Sequence, residues 1–560
     1  MSGGLVLAYR DLGIDPKVWT LKRVIPAGML AVIASILLVI LLPSIFMSGY
    51  GLLLLLLAVI FLVLIAAIWP YLLRERKRQE LDDELHLFIV RVAVLSLSSS
   101  TRASVFEIAS KEKTNKYILK ELVKVRSLTK EWNISLPRSL RIVAKQTPSS
   151  RFGDFLERMA YAIESDEDPK VFFQNEQEAV MEEFRSRYTT TLDRVEVVRE
   201  VYISMVSVTM FLNVMLVVLS MLVGINHYLM SFLIIFIFII VEMVLWIVIN
   251  SVLPNEHIWY DPPPRPLESR FHRQMQISLI AGVGLAVLVA LVLLLFPFTW
   301  TTLILYLAAI STPLIIPGIV VAREESTITR RDDAFGAFIR TIGSTSESKG
   351  GAPSQGLKRI RWHDFGALTE QVKNLYDRLK IRIDSEKAWR LFTKETRSEL
   401  ISQFLNTYQE GISAGGSPKE VSSLISGHFT TLSSLRKRRY LMADNFAAIL
   451  YGLTVFIAGG LFMIYRVVLE MLDRLGGLET ASENIENFQP LVLLKDVSGL
   501  EVVMLIAIVL VSLLHVGFSA DAMRRFRGGH PLTLMLHFPL LLWTAALSGY
   551  LAQWAVETIL

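Results

Sequence analysis

FLERMAYAIESDEDPK, residues 155–170, returns as FLNTYQEGISAGGSPK, residues 404–419, sharing Phe-Leu, a later Ile and a closing Pro-Lys without a gap. The shift from 155 to 404 is 249 residues. In both copies apolar residues recur at three and four, the mark of an amphipathic helix. A short polar turn and a Pro follow; Pro suits the first turn of the next helix, where its missing N–H costs nothing. Working outward, the same shift lays Asp83-Glu84 on Asp332-Asp333 and Arg91 on Arg340. A registry held over most of a repeat identifies the chain as a tandem duplication.

The repeat is built around apolar runs. The chain has 560 residues, 52% of them hydrophobic, and a mean hydropathy of +0.47. Crossing a bilayer takes about 20 apolar residues. Val24–Phe46, Gly51–Trp69, Val201–Val223, Leu229–Leu253, Ile277–Phe296, Trp300–Val321, Phe446–Val468, Val502–Phe518 and Leu532–Ala555 qualify, about nine spans by that rule. The shift carries the first three runs onto the fifth, sixth and seventh. The expected fold is an all-α polytopic membrane protein with two duplicated cytoplasmic helical-bundle domains. Its order is a leader (1–23), a transmembrane hairpin (24–70), the first helical domain (71–200), a second hairpin (201–253), a cytoplasmic linker (254–276), a third hairpin (277–321), the second helical domain (322–445) and C-terminal spans (446–560) with an outer loop at 469–500. The first run is too long for a signal peptide and has no Ala-x-Ala site after it.

Lys and Arg cluster on the cytoplasmic side of spans. Lys17, Lys22 and Arg23, then Arg74 to Arg78, then Arg436, Lys437, Arg438 and Arg439, then Arg524, Arg525 and Arg527 all fall on one side if the N-terminus is inside, which puts the C-terminus outside. An even number of spans per repeat gives both halves the same orientation, unlike inverted-repeat transporters. Arg436 to Arg439 immediately precede a span, so anchoring to anionic membrane lipid explains them.

Chemistry is scarce. Cys is absent, which excludes disulfides, thiolate metal sites and cysteine nucleophiles. Glu164, Asp166, Glu167 and Asp168 resemble a calcium loop only partly: Pro169 stands at the Gly position and Asn175 at the closing Glu. The second copy has no carboxylate before its Pro, so no metal is expected. The acids read as a turn that caps the next helix, either solvated or touching a partner protein. Gly351 and Gly356 have P-loop spacing, but Leu357-Lys358 stands where Lys-Ser/Thr belongs, so nucleotide hydrolysis is not expected. No cofactor is implied, and the nine histidines are scattered without ligand spacing.

Glu242 lies near the middle of a span, where an ionisable residue is a functional hypothesis by default. Depth counting sets Asn213 beside it on the preceding span; the two form a candidate polar pair, with an ion path through Glu242 as the alternative. Residues 322–440 hold 21 Lys and Arg against 14 Asp and Glu, a net +7, whereas 71–200 hold 23 against 22, a net +1. Lys358, Arg359 and Arg361 form a basic cluster far from any span, a candidate partner contact. Neither this cluster nor Arg436 to Arg439 is interleaved with stacking aromatics, so nucleic acid is not an expected partner.

DFLERMAYAIESDEDPKVFFQNEQEAVMEEF, DDAFGAFIRTIGSTSESKGGAPSQGLKRI and the duplicated helical domains between span pairs resemble the membrane platform proteins of type II secretion and type IV pili, and most the archaeal branch that serves the archaellum. The likeness covers nearly the whole chain. Two departures concern turns: SSSTRAS stands where such proteins place a small Ala-Gly turn, and Asp166 where a Gly is common. The resemblance implies a non-enzymatic cell-membrane core, a dimer or trimer, whose cytoplasmic domains engage a hexameric secretion ATPase and act on pilin-like or archaellin subunits. For an archaellum it also implies rotation. An archaeal adhesive pilus or secretion platform is the alternative, and an ion-coupled transporter using Glu242 a more distant one.

Overall fold

The computed structural model describes residues 15–26, 28–29, 49–98, 116–223, 227–253, 256, 258–260, 270–297, 302–348, 353–479 and 497–559, with the backbone alone at some helical positions such as 49–68. Among these residues the structure is helical with no strand; one isolated antiparallel bridge joins Trp259 to Ser398.

The helices of eight residues or more are α1 (Gly49–Ser96), α2 (Lys116–Lys130), α3 (Leu136–Gln146), α4 (Ser150–Glu164), α5 (Pro169–Val223), α6 (His227–Val252), α7 (Arg270–Leu293) and α8 (Leu303–Ser311). They continue as α9 (Ile315–Glu347), α10 (Pro353–Ile360), α11 (Thr369–Lys380), α12 (Ser385–Thr396), α13 (Glu399–Ser413), α14 (Pro418–Glu479), α15 (Val497–Arg527) and α16 (Leu534–Ile559). Six helices among the described residues are long and apolar enough to cross a membrane: Leu233–Val252, Phe271–Leu293, Leu303–Glu347, Pro418–Met471, Met504–Arg527 and Pro531–Ile559. Of the other runs expected to span, Val24–Phe46 lies largely outside the described residues, Gly51–Trp69 is helical backbone within α1, and Val201–Val223 is the end of α5. Of the outer loop expected at 469–500, residues 480–496 also lie outside them, whereas 469–479 and 497–500 are helical.

α5 runs 55 residues and α14 runs 62 without a break. At 1.5 Å per residue, α14 is about 93 Å long, roughly three hydrocarbon thicknesses. The boundaries expected at 200 and 445 therefore fall inside continuous helices.

Two compact units emerge. The first comprises Met1–Phe184 with Gln409–Val421. Its core joins Leu81, Phe88 and Ile89 of α1 to Leu122 of α2, Val143 of α3 and Phe155 and Leu156 of α4, all buried. The second comprises Arg185–Tyr408 with Ser422–Leu560. Its membrane-level core gathers Tyr202, Phe238, Phe446, Leu461 and Leu542. Lipid-type faces remain outside: Ile280 is 70% exposed and Phe211 63%.

Candidate functional site

The acidic turn is a helix junction, and the stretch 249 residues further on has the same one. α4 ends at Glu164; Glu167 N–H donates to Ala162 O at 3.0 Å and Asp166 N–H to Ile163 O at 3.4 Å. There Gly416 N–H donates to Gly411 O at 2.9 Å and Gly415 N–H to Ile412 O at 3.0 Å. This six-to-one closure needs a left-handed residue. Gly415 supplies it at φ 89°, and Asp166, against its preference, at φ 57°. Asp168 Oδ1 accepts from Lys170 N–H at 2.9 Å, as Ser417 Oγ accepts from Glu420 N–H at 3.3 Å, so each caps the helix that Pro169 or Pro418 opens. Glu164 pairs with Arg141 at 2.5 Å, both sides nearly half exposed, and such a surface pair adds little stability. Glu164, Asp166 and Asp168 are exposed and Glu167 half-buried.

A second matched device lies inside the helical bundles. Ser149 caps α4, accepting from Phe152 N–H at 3.0 Å and donating to buried Asp82 at 2.5 Å. Ser398 caps α13 in the same way, accepting from Ile401 N–H at 3.1 Å and donating to buried Asp332 at 2.5 Å. The serines keep the 249-residue spacing, whereas Asp82 and Asp332 are 250 apart. In α1 the counterpart of Asp332 is thus Asp82, one residue before the pairing that the constant shift expects.

In the second unit the intramembrane carboxylate has different partners from those expected. Glu242 on α6 is 1% exposed; His515 Nδ1 of α15 lies 2.8 Å from its Oε1, and Tyr202 of α5 donates to its Oε2 at 3.1 Å. Ser519 Oγ stands 3.4 Å from the other ring nitrogen. With the proton on Nδ1, the carboxylate has two donors from two other helices. Asn213 is fully buried and its side chain has no hydrogen-bond partner among the described residues. The expected Asn213–Glu242 pair does not form because Asn213 lies 11 residues beyond Tyr202, about 16 Å along the helix. The missed signal was His515: buried intramembrane charges come in pairs, and this His sits inside an apolar run.

The two basic clusters also divide differently. Of the cluster assigned to lipid anchoring, Lys437 and Arg438 are exposed, but Arg436 and Arg439 turn inward. Arg439 donates to Phe526 O at 2.8 Å and Arg525 O at 2.9 Å, the last carbonyls of α15. Arg436 lies 3.3 Å from Glu256 and 4.0 Å from Asp332. Arg439 ties α14 to α15, because the free carbonyls at a helix C-terminus attract a guanidinium, whereas Arg436 is held by carboxylates. Lys358 and Arg359 end α10 and are exposed. Arg361 is half-buried, 4.5 Å from the Trp362 ring centre and 5.0 Å from that of Tyr376. Trp362 itself is 78% exposed. Among the described residues no group of three or more His, Asp and Glu is placed to hold a metal ion.

Residues 88–217 match the family described as type II secretion system (T2SS), protein F. Over its whole length the chain is similar to two curated relatives, each called flagella accessory protein J. The protein of Methanocaldococcus jannaschii is 31% identical, with 99% of each chain covered. That of Methanococcus voltae is 30% identical, with 98% of each covered. No solved structure matches. Apolar helices of spanning length and the secretion-family match together make this a multi-pass membrane protein.

Proposed function

The chain belongs to the flagella accessory protein J family, and from that premise we propose that it is the membrane platform of an archaellum, coupling a cytoplasmic hexameric ATPase to the assembly and rotation of a filament of pilin-like subunits. It hydrolyses no nucleotide itself and contributes the mechanical connection.

The observation that carries this reading is the continuity of α5 and α14. Each leaves a polar helical bundle and enters the apolar region as one hydrogen-bonded rod, 55 and 62 residues long. An unbroken helix is suited to carrying a push along its own axis. The N-terminus and both polar bundles are cytoplasmic in this reading, and nine spans put the C-terminus outside.

Lys358 and Arg359 beside exposed Trp362 form the motor-facing knob. Trp and Arg dominate protein-binding hot spots, and an exposed Trp beside two free-standing cations suits an acidic protein surface. Pull-down of the motor ATPase by the full chain in nanodiscs tests this. Lys358→Glu with Arg359→Glu is expected to weaken capture at least tenfold while the melting temperature stays within a degree or two; unchanged capture would remove the knob from the interface. The transporter alternative is disfavoured by the enclosure of Glu242 between Tyr202 and His515.

A further inference from the structure

The two halves differ in what covers one matched helix face. On α1 that face is closed: Val90 is 2% exposed, Arg91 8% and Val94 0%. What closes it is the end of α13 where it runs into the α13–α14 turn. Arg91 makes a forked ion pair with Glu410, at 2.6 and 3.1 Å, and a Cβ on Gly411 would stand 2.4 Å from a Val94 methyl. On α9 the matching face carries Arg340 and Ser344, both exposed, and half-buried Thr341. Arg340 has no ion pair or hydrogen bond among the described residues.

That open face is one wall of a groove of about 620 Å³, lined by Gly336, Arg340 and Thr341 of α9, Gly427 and Thr430 of α14, and Arg185 of α5. In the first half the matching space is filled. His86 takes the place of Gly336 and stacks on Phe184 at 3.8 Å, and Met181 takes the place of Thr430; both are 7% exposed. Small residues thus hollow out in the second half what large ones fill in the first, with arginines and hydroxyls and no carboxylate on the lining. A lipid headgroup does not reach it: Arg340 is 19 residues past Val321, the end of the apolar run, about 28 Å along α9.

The occupant is indicated by the chain's own precedent. The α13–α14 turn sits on α1; its repeat, the α4–α5 turn, has the same closure and the opposite charge to the groove. Tyr161, 68% exposed, stands at the position Glu410 holds, beside the carboxylates of Glu164, Asp166 and Asp168 and beside Val171, 47% exposed. An arginine stacks on Tyr and pairs with carboxylates at once. We propose that the α4–α5 turn of one copy of this chain docks in the α9–α14 groove of a second copy, repeating between molecules the contact that Gln409–Val421 makes within one. The contact stands apart from the motor reading and would hold in a platform with any drive.

The absence of cysteine makes the test direct. Two differently tagged full-length chains, one Asp166→Cys and one Thr341→Cys, are co-expressed, and membranes are treated with a short bis-maleimide. The expected result is a mixed-tag dimer, reduced at least tenfold by Arg340→Glu in the groove copy and recovered when the other copy carries Glu167→Lys and Asp168→Lys. Tyr161→Ala in the turn copy is expected to weaken it severalfold. No mixed-tag dimer while both thiols label freely would overturn the proposal. So would a dimer indifferent to Arg340→Glu, or a Thr341→Cys copy cross-linking only to a different protein.

Discussion

Replacing His515 is the sharpest probe of the membrane core. Glu242 and His515 are each 1% exposed and 2.8 Å apart, with Tyr202 as the other donor to the carboxylate. His515→Ala leaves Glu242 with that one hydroxyl. Stripping a buried charge of its partner costs about 3–5 kcal/mol in soluble proteins. In membranes the unfolded reference also finds partners, and pair couplings shrink to about 0.6–1.7 kcal/mol. We therefore expect each single replacement, His515→Ala or Glu242→Leu, to cost about 2–4 kcal/mol and the double replacement about 1–2 kcal/mol less than their sum. Unfolding in mixed micelles, read by tryptophan fluorescence, measures all four corners of the cycle. Additivity within about 0.3 kcal/mol would refute the Glu242–His515 pairing. Liposome proton flux lost on Glu242→Gln would refute it differently, by giving the carboxylate a transport role.

Asp166→Gly removes a left-handed strain of about 1–2 kcal/mol but adds chain entropy of about 0.5–1, so the first unit should gain about 0.5 kcal/mol; Gly415→Ala at φ 89° should lose about 1 kcal/mol. Ser149→Ala and Ser398→Ala each remove a helix cap and a donor to a buried Asp, and are expected to cost about 1–3 kcal/mol in chemical denaturation. Burial first, then Glu80 and Asp83, push the Glu84 carboxyl up from 4.5 to about 7. The folded chain therefore holds a proton that the unfolded chain has released, so this group makes stability fall as pH rises from about 4.5 to 7. With partial exposure discounted, the loss is about 1–2 kcal/mol, and Glu84→Gln should flatten that slope in pH-dependent melts.

The turns were legible because Pro169 and Pro418 mark helix starts and the residues before them are cap formers; the first-half junction kept its geometry even with Asp in the left-handed place. Spans from Leu229 onward were legible by length and apolarity. The continuity of the helix past residue 200 was not, because hydropathy changes there while nothing breaks the helix: no Gly or Pro interrupts α5 from Lys170 to Val223. The register slip at Asp82 escaped a constant shift because it needs only one residue of difference within a helix. Arg436 and Arg439 look identical to lipid anchors in sequence; only tertiary packing brings the end of α15 to them. Glu242 was flagged by its position, but helix phase and the neighbour in space, His515, 273 residues away, are not written in local spacing.

Deleting this chain and counting filaments by electron microscopy, with subunit levels in the membrane measured alongside, tests the platform role most directly. Loss of filaments at normal subunit levels, restored by the full chain, is the predicted result; an unchanged filament count in the deletion strain would contradict it.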